Sequence, residues 1–159
     1  MRIIQLLCAA MLLPDTEFVK TISVQLRNRE PYEDEMTHYL SSLSSGVSRI
    51  DYIVDIVLSM ESRVVYDSPY VHGEEPTVAN IFRNTITYFP EQLVHTLFRE
   101  LLCREPEQEE FILYEHAVAN GLSPVEMFAY MVQSAECKSL LESGHSNPVA
   151  ERLKLYYVG

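Results

Sequence analysis

Residues 103–123, "CREPEQEEFILYEHAVANGLS", read almost as a second printing of residues 28–48, "NREPYEDEMTHYLSSLSSGVS". Setting Arg29 against Arg104 fixes an offset of 75 residues, and the register then holds without a gap. Val19 meets Val94, Leu26 meets Leu101, and Glu30, Pro31, Glu35 and Tyr39 meet Glu105, Pro106, Glu110 and Tyr114. Further on, Gly46, Ser48, Ser59 and Glu61 meet Gly121, Ser123, Ser134 and Glu136. Where identity lapses, apolar character persists, as in Ile22 with Leu97, Met36 with Phe111 and Ile53 with Phe128. Self-similarity at a fixed period points to two copies of one structural unit.

Each copy reads as helices. Phe18, Ile22 and Leu26 fall four apart, as do Leu93, Leu97 and Leu101, so each set forms one apolar stripe. Met36, Tyr39 and Leu43 mark a second helix, matched by Phe111, Tyr114 and Val118, and Ile50, Ile53, Val54 and Val57 mark a third. Pro31 and Pro106 suit the first helical position, where the missing N–H costs nothing. Gly46 and Gly121 suit the left-handed residue that stops the second helix. Ser48 with Asp51, and Ser123 with Glu126, have capping-box spacing at the start of the third. Tyr39 and Tyr114 are expected to be largely buried, in equivalent places, with their hydroxyls near polar partners.

The rest of the chain fits around the copies. "MRIIQLLCAAMLLPD" at the start and "TVANIFRNTITYFPE" from Thr77 are apolar entry helices. "YDSPYVHGEEP" from Tyr66 carries Pro, Gly and charge and reads as the connection. "SRVVYDS" from Ser62 offers a brief extended piece, and Asn147 with Pro148 opens a short final helix. The expected architecture is all-α: two tandem three- to four-helix repeats packed into one compact helical domain. Residues 1–75 hold the first entry helix, repeat and connection; residues 76–159 hold the second entry helix, repeat and C-terminal helix.

Composition narrows the function classes. With 47% apolar residues in 159, the chain can bury a core without staples. A net charge of −11 argues against binding a phosphate backbone and fits a basic partner. Cys8, Cys103 and Cys137 lack zinc spacing and read as buried reduced thiols. Arg2 and the apolar run after it resemble a secretory leader with Cys8 as a lipidation point, but the run before Cys8 is short and no small-residue cleavage site follows. It is also shorter than the ~20 residues of a membrane span, so it reads as a core helix.

Catalytic patterns are sparse. Glu35 with His38, and Glu142 with His145, have the Glu-x-x-His spacing of carboxylate-bridged metal bundles. Gly144 ends the second helix early, and the counterpart of His38 is Leu113, so a solvated face is preferred. The runs "EPYEDE" and "EPEQEE" lack the central Gly of calcium loops and instead favour a helix dipole. Neither a nucleophile elbow nor a phosphate-cradling loop is present, and nothing local poises Cys103 or Cys137 with His95 or His116. The pairs Arg29 with Glu61 and Arg104 with Glu136 are more telling: each is expected to form a salt bridge fixing the first helix's end against the third.

At these residues the sequence resembles the bacterial domain of unknown function 4214 family, related to the phycobilisome linker domain superfamily. That family's repeat runs as an aromatic, Leu-Leu-Gly-Arg-Glu-Pro-Asp, Gly-Leu-x-x-Trp, Gly-x-Ser and then Ser-x-Glu. Residues 98–136 follow it well, and residues 24–61 also follow it. Asn28 and Cys103 replace its first Gly, Glu35 and Glu110 its second, and Tyr39 and Tyr114 its Trp. The resemblance implies an all-α unit found in bacterial surface proteins, calcium-repeat exoproteins and proteins joined to glycosyltransferases, with no established active site. The expectation is a non-catalytic protein–protein interaction or assembly module without cofactor, metal or membrane span, accessory to cell-surface polysaccharide or surface-protein biogenesis. An unidentified protein is its partner, nucleic acid is not, and a homo-oligomer is compatible with the pattern. The expected compartment is cytoplasmic, with cell-envelope association as the alternative. Two competing functions are a metal-dependent enzyme using Glu35 and His38, and an acidic decoy of a nucleic-acid-binding protein.

Overall fold

The computed structural model describes residues 2–71 and 73–142. The first half holds α1 (Ile3–Met11), α2 (Asp15–Arg27), α3 (Glu33–Ser44), α4 (Arg49–Leu58) and α5 (Met60–Asp67). The second holds α6 (Val78–Tyr88), α7 (Leu93–Leu97), α8 (Gln108–Ala119), α9 (Pro124–Val132) and α10 (Ala135–Glu142). A 3-10 turn (Pro90–Gln92) precedes α7, which runs straight into a π turn (Phe98–Leu102). No strand occurs among the described residues, and the fold is all-α. The bounds of α3 and α8 at both ends, and the starts of α5 and α10, differ by the same 75 residues as the sequence. His145 and the Asn147–Pro148 helix start lie outside the described residues.

Punctuation explains the shared bounds. After α3, the Gly46 N–H donates to the Leu43 carbonyl and the Val47 N–H to the Ser42 carbonyl. After α8, Gly121 and Leu122 donate in the same way to Val118 and Ala117. This Schellman pattern needs a residue of positive φ, and both glycines sit at +105°. Ser48 and Ser123 then cap the next helix, their hydroxyls accepting the N–H of Asp51 at 3.0 Å and of Glu126 at 3.1 Å. Only this half of the expected capping box is made among the described residues.

Three boundaries differ from the sequence expectation. Pro31 and Pro106 stand two residues before the first helical residue, not at it. The carboxylates of Glu35 and Glu110 accept the N–H of Tyr32 at 2.8 Å and of Glu107 at 2.9 Å, which makes those residues the N-caps. Ser59 and Ser134 stand at the end of the third helix and also open a further one. Their hydroxyls accept the N–H of Ser62 and of Cys137, both at 3.2 Å. Among the described residues each half therefore has five α-helices, and residues 62–67 are helical rather than extended. A capping serine outweighed the strand propensity of Val64 and Val65.

The two halves share one apolar core. Phe18, Phe82, Phe98 and Phe128 are buried in it, and the Phe82 and Phe128 rings meet 5.1 Å apart. Fully burying each such side chain contributes about 1.5–3 kcal/mol. α4 packs on α9, while α1 lies against α10 and the π turn as well as against α2. In the mirrored arrangement, α6 lies against α5 and α2. Hydrogen bonds fix both exchanges: the Ile3 N–H donates to Glu100 Oε1 and the Val78 N–H to Gln25 Oε1, each at 3.0 Å. These donors and acceptors are themselves 75 residues apart. The boundary at residues 75 and 76 thus falls within a connection, not between two cores. The N-terminal segment is a core helix, with Ile3, Ile4, Leu7 and Cys8 buried.

Candidate functional site

The most organised polar features are two arginine clasps. α2 ends on Asn28 and the π turn ends on Cys103, both left-handed at φ near +60°. That reversal aims the next residue, Arg29 or Arg104, back across the bundle. Arg29 Nε and Nη2 donate to Glu61 at 2.6 and 2.7 Å, and Nη1 and Nη2 donate to Glu35 at 2.8 and 3.2 Å. Arg104 makes the same two forks, to Glu136 at 2.9 Å twice and to Glu110 at 2.8 Å twice. Each guanidinium also donates to the carbonyl of the following residue, Glu30 or Glu105. One planar cation thereby ties the end of the second segment to the starts of the third and the fifth.

The expected partners Glu61 and Glu136 are joined in each clasp by a carboxylate the sequence reading did not place there. Glu35 and Glu110 are identical at the repeat offset, which was the available signal. The Arg29 fork, reinforced by the Tyr32 N–H, holds Glu35 down at about 2. Arg104 and then the Glu107 N–H hold Glu110 at about 2. Hydrogen bonding to Arg29 also lowers Glu61. Glu35 further lies 3.0 Å from Arg27 Nη1. Its carboxylate is fully committed, so the Glu35 and His38 metal pairing has no donor to offer on that side. His38 is exposed and packs edge-on against Tyr39.

The clasps differ in one respect. Arg27 is buried beneath the first, donating from Nε to Ser23 at 2.9 Å, and its Nη2 has no acceptor among the described residues. Its counterpart is Leu102, which carries no such desolvation cost. In the second half a separate surface group forms instead, with Glu105 bonded to Arg99 and, at 3.0 Å, to His95.

Beside the first clasp, α3 and α4 enclose a cavity of about 290 Å³ lined by His38, Tyr39, Ser42, Leu43, Val47, Asp51, Tyr52 and Asp55. Tyr52 is buried, with its hydroxyl donated to the Val19 carbonyl at 3.3 Å. Tyr39 stands edge-on to it at 4.5 Å between ring centres. Burial, and next the charge of Asp55, raise the Tyr39 pKa. Tyr39 and Tyr114 are both partly buried, in equivalent places, on α3 and α8, which lie at the edge of the bundle and bury no residue fully. Tyr114 packs instead against Phe98 at 5.5 Å and Tyr130 at 6.3 Å. At the second half's equivalent positions Leu113, Glu126, Met127 and Tyr130 replace His38, Asp51, Tyr52 and Asp55. Leu113 and Tyr130 are exposed there, at 67% and 63%, with Ile112 close behind at 57%.

The cysteines show no poised nucleophile. Burial raises Cys8 to about 11 and Cys137 to about 12, both unsuited to thiolate chemistry near neutrality. No cluster of three metal-ligating side chains occurs among the described residues, and no helix there is long and apolar enough to cross a membrane. Comparison with family models, with curated proteins and with solved structures gives no match to this chain.

Proposed function

We propose that the chain is a non-catalytic helical interaction module that docks a protein partner. The observation carrying this is the exposure of Ile112 and Leu113 on α8 and of Tyr130 on α9, large apolar side chains left in solvent on an acidic protein. Large apolar side chains left exposed on a compact domain suit a contact with another protein. The clasps support the reading in a second way, since the arginines and carboxylates most able to act on a substrate are bonded to one another. Resemblance to the domain of unknown function 4214 family adds a bacterial setting and an accessory role near cell-surface polysaccharide or surface-protein assembly.

The test is affinity capture from native cells with wild-type protein and with Leu113→Glu and Tyr130→Glu. One stoichiometric partner, lost in both variants while their helical circular dichroism is retained, supports the module. Stoichiometric iron, manganese or zinc in the purified protein would favour the metal-dependent alternative instead. Capture whose loss depends only on salt would favour the charge decoy.

A further inference from the structure

We infer that the α3–α4 cavity is a receptor for an arginine side chain presented by a basic segment of a partner protein. The cavity lies at the small end of the ~300–1,000 Å³ range of ligand pockets, a size for one side chain rather than a cofactor. Its floor is the Tyr52 ring, held in place by the bond to Val19, and its wall is the Tyr39 ring. Asp51 and Asp55 stand one helical turn apart on α4, so both carboxylates reach the same rim. Both are exposed, and neither is in ion-pair contact with a Lys, Arg or His among the described residues. Every other lining group is neutral or a histidine, which leaves the rim anionic.

The chemistry selects among cations. A guanidinium is planar, stacks on an aromatic face and forks to carboxylates, whereas an ammonium is a compact, strongly hydrated point charge. Aromatic walls below a pair of carboxylates therefore favour arginine over lysine. The protein's own clasps show the same preference, with Arg29 lying 4.0 Å over the Tyr32 ring while forking to two glutamates. The net charge of −11 adds long-range attraction for a basic segment. The second half does not repeat the pit, because Leu113, Met127 and Tyr130 stand where His38, Tyr52 and Asp55 do, leaving Glu126 as the one carboxylate of the pair. The two halves would then hold one partner by different means, an anionic pit and exposed apolar side chains.

This inference rests on the module reading for the identity of the partner, but its test does not. The full-length protein is titrated with a short Gly-spaced tri-arginine peptide, and with lysine and citrulline versions, at 0.15 M salt and followed by NMR. The expected result is shifts centred on Tyr39, Tyr52, Asp51 and Asp55, with the arginine peptide binding severalfold tighter than lysine and citrulline not binding. Asp51→Asn with Asp55→Asn should weaken binding about tenfold, while Glu109→Gln with Glu115→Gln on α8 should change it less than about twofold. Tyr39→Leu should remove the preference for arginine over lysine while retaining weak binding of both. Equal weakening by the α8 pair, shifts spread over the acidic surface, or undiminished binding of citrulline would each overturn the site. If the peptide fails and a native partner is still captured through Leu113 and Tyr130, the arginine receptor falls and the module stands. Peptide binding without any captured partner has the opposite meaning.

Discussion

Removing Arg104 should cost more stability than removing Arg29, although Arg29 is the more buried of the two. Arg104 makes four charge-assisted hydrogen bonds to Glu110 and Glu136, all partly open to solvent. At about 0.5 kcal/mol each for such exposed geometry, Arg104→Ala should cost about 2 kcal/mol. No second guanidinium remains beside the two carboxylates, because Leu102 occupies the position that Arg27 holds in the other clasp. In Arg29→Ala, Arg27 stays 3.0 Å from Glu35 and within 4.0 Å of Glu61, so a loss of about 1 kcal/mol is expected. With a urea m-value of about 2 kcal/mol per molar, the unfolding midpoints should fall by about 1 M and 0.5 M respectively. Circular dichroism at 222 nm reads both. Arg104→Lys should fall in between, since an ammonium keeps the charge and loses the forks. The difference between the two alanine variants should shrink in 1 M salt. Equal losses, or a larger loss at Arg29, would refute the idea that Arg27 acts as a reserve cation.

Acid should loosen both clasps. Glu35 and Glu110 are depressed to about 2 from an ordinary 4.5, so their contribution is complete above pH 4.5 and disappears as pH falls toward 2. After discounting for solvent, each should account for about 1–2 kcal/mol over that window, and Glu35→Gln with Glu110→Gln should flatten the pH dependence of urea unfolding. Gly46→Ala and Gly121→Ala should each lower stability by about 1–2 kcal/mol through the backbone alone, since φ is +105° and nothing lies within 4 Å of an added Cβ. Cys103→Gly should be neutral or stabilising by up to about 1 kcal/mol because φ there is +57°. Asn28→Gly should instead be destabilising: the Asn28 side chain bonds Asn80 at 2.9 Å and Thr77 at 2.7 Å, bonds lost in the glycine variant. In the native protein a thiol reagent should label Cys103 alone, with Cys8 and Cys137 reacting only on unfolding; mass spectrometry of the labelled peptides decides this.

Local features were legible where the physics is local. Apolar residues at helical spacing placed the stripes, and the helix-stopping glycines and capping serines sat where their backbone demands put them. The ion pairs of Arg29 and Arg104 could be named because both members recur at one offset. Glu35 and Glu110 recur too, but a carboxylate in a first helical turn has an ordinary explanation in the helix dipole, and that explanation hid the clasp. Pro31 and Pro106 misled because a helix start is set by which N–H a side chain captures, not by proline tolerance alone. The break at Ser59 was missed because a lone serine between Leu58 and Met60 carries no Gly or Pro stop signal. The cavity depends on how far α3 stands from α4, a distance that no spacing along the chain encodes. The exchange of entry helices was equally invisible, since a helix buries the same stripe whichever half receives it.

That exchange has a consequence for how the molecule holds together. Because α1 rests on α10 and α6 rests on α5, the connection at residues 68–76 is not what joins the halves. It is a tether that keeps two interlocked pieces at high local concentration, in the way a linker raises the avidity of a bivalent ligand. Severing it would leave the pieces embraced through α4 and α9 and through both borrowed helices, with dissociation becoming dependent on dilution. Either piece alone would keep α1 on α2 or α6 on α7 and lose the packing that its entry helix makes across the halves.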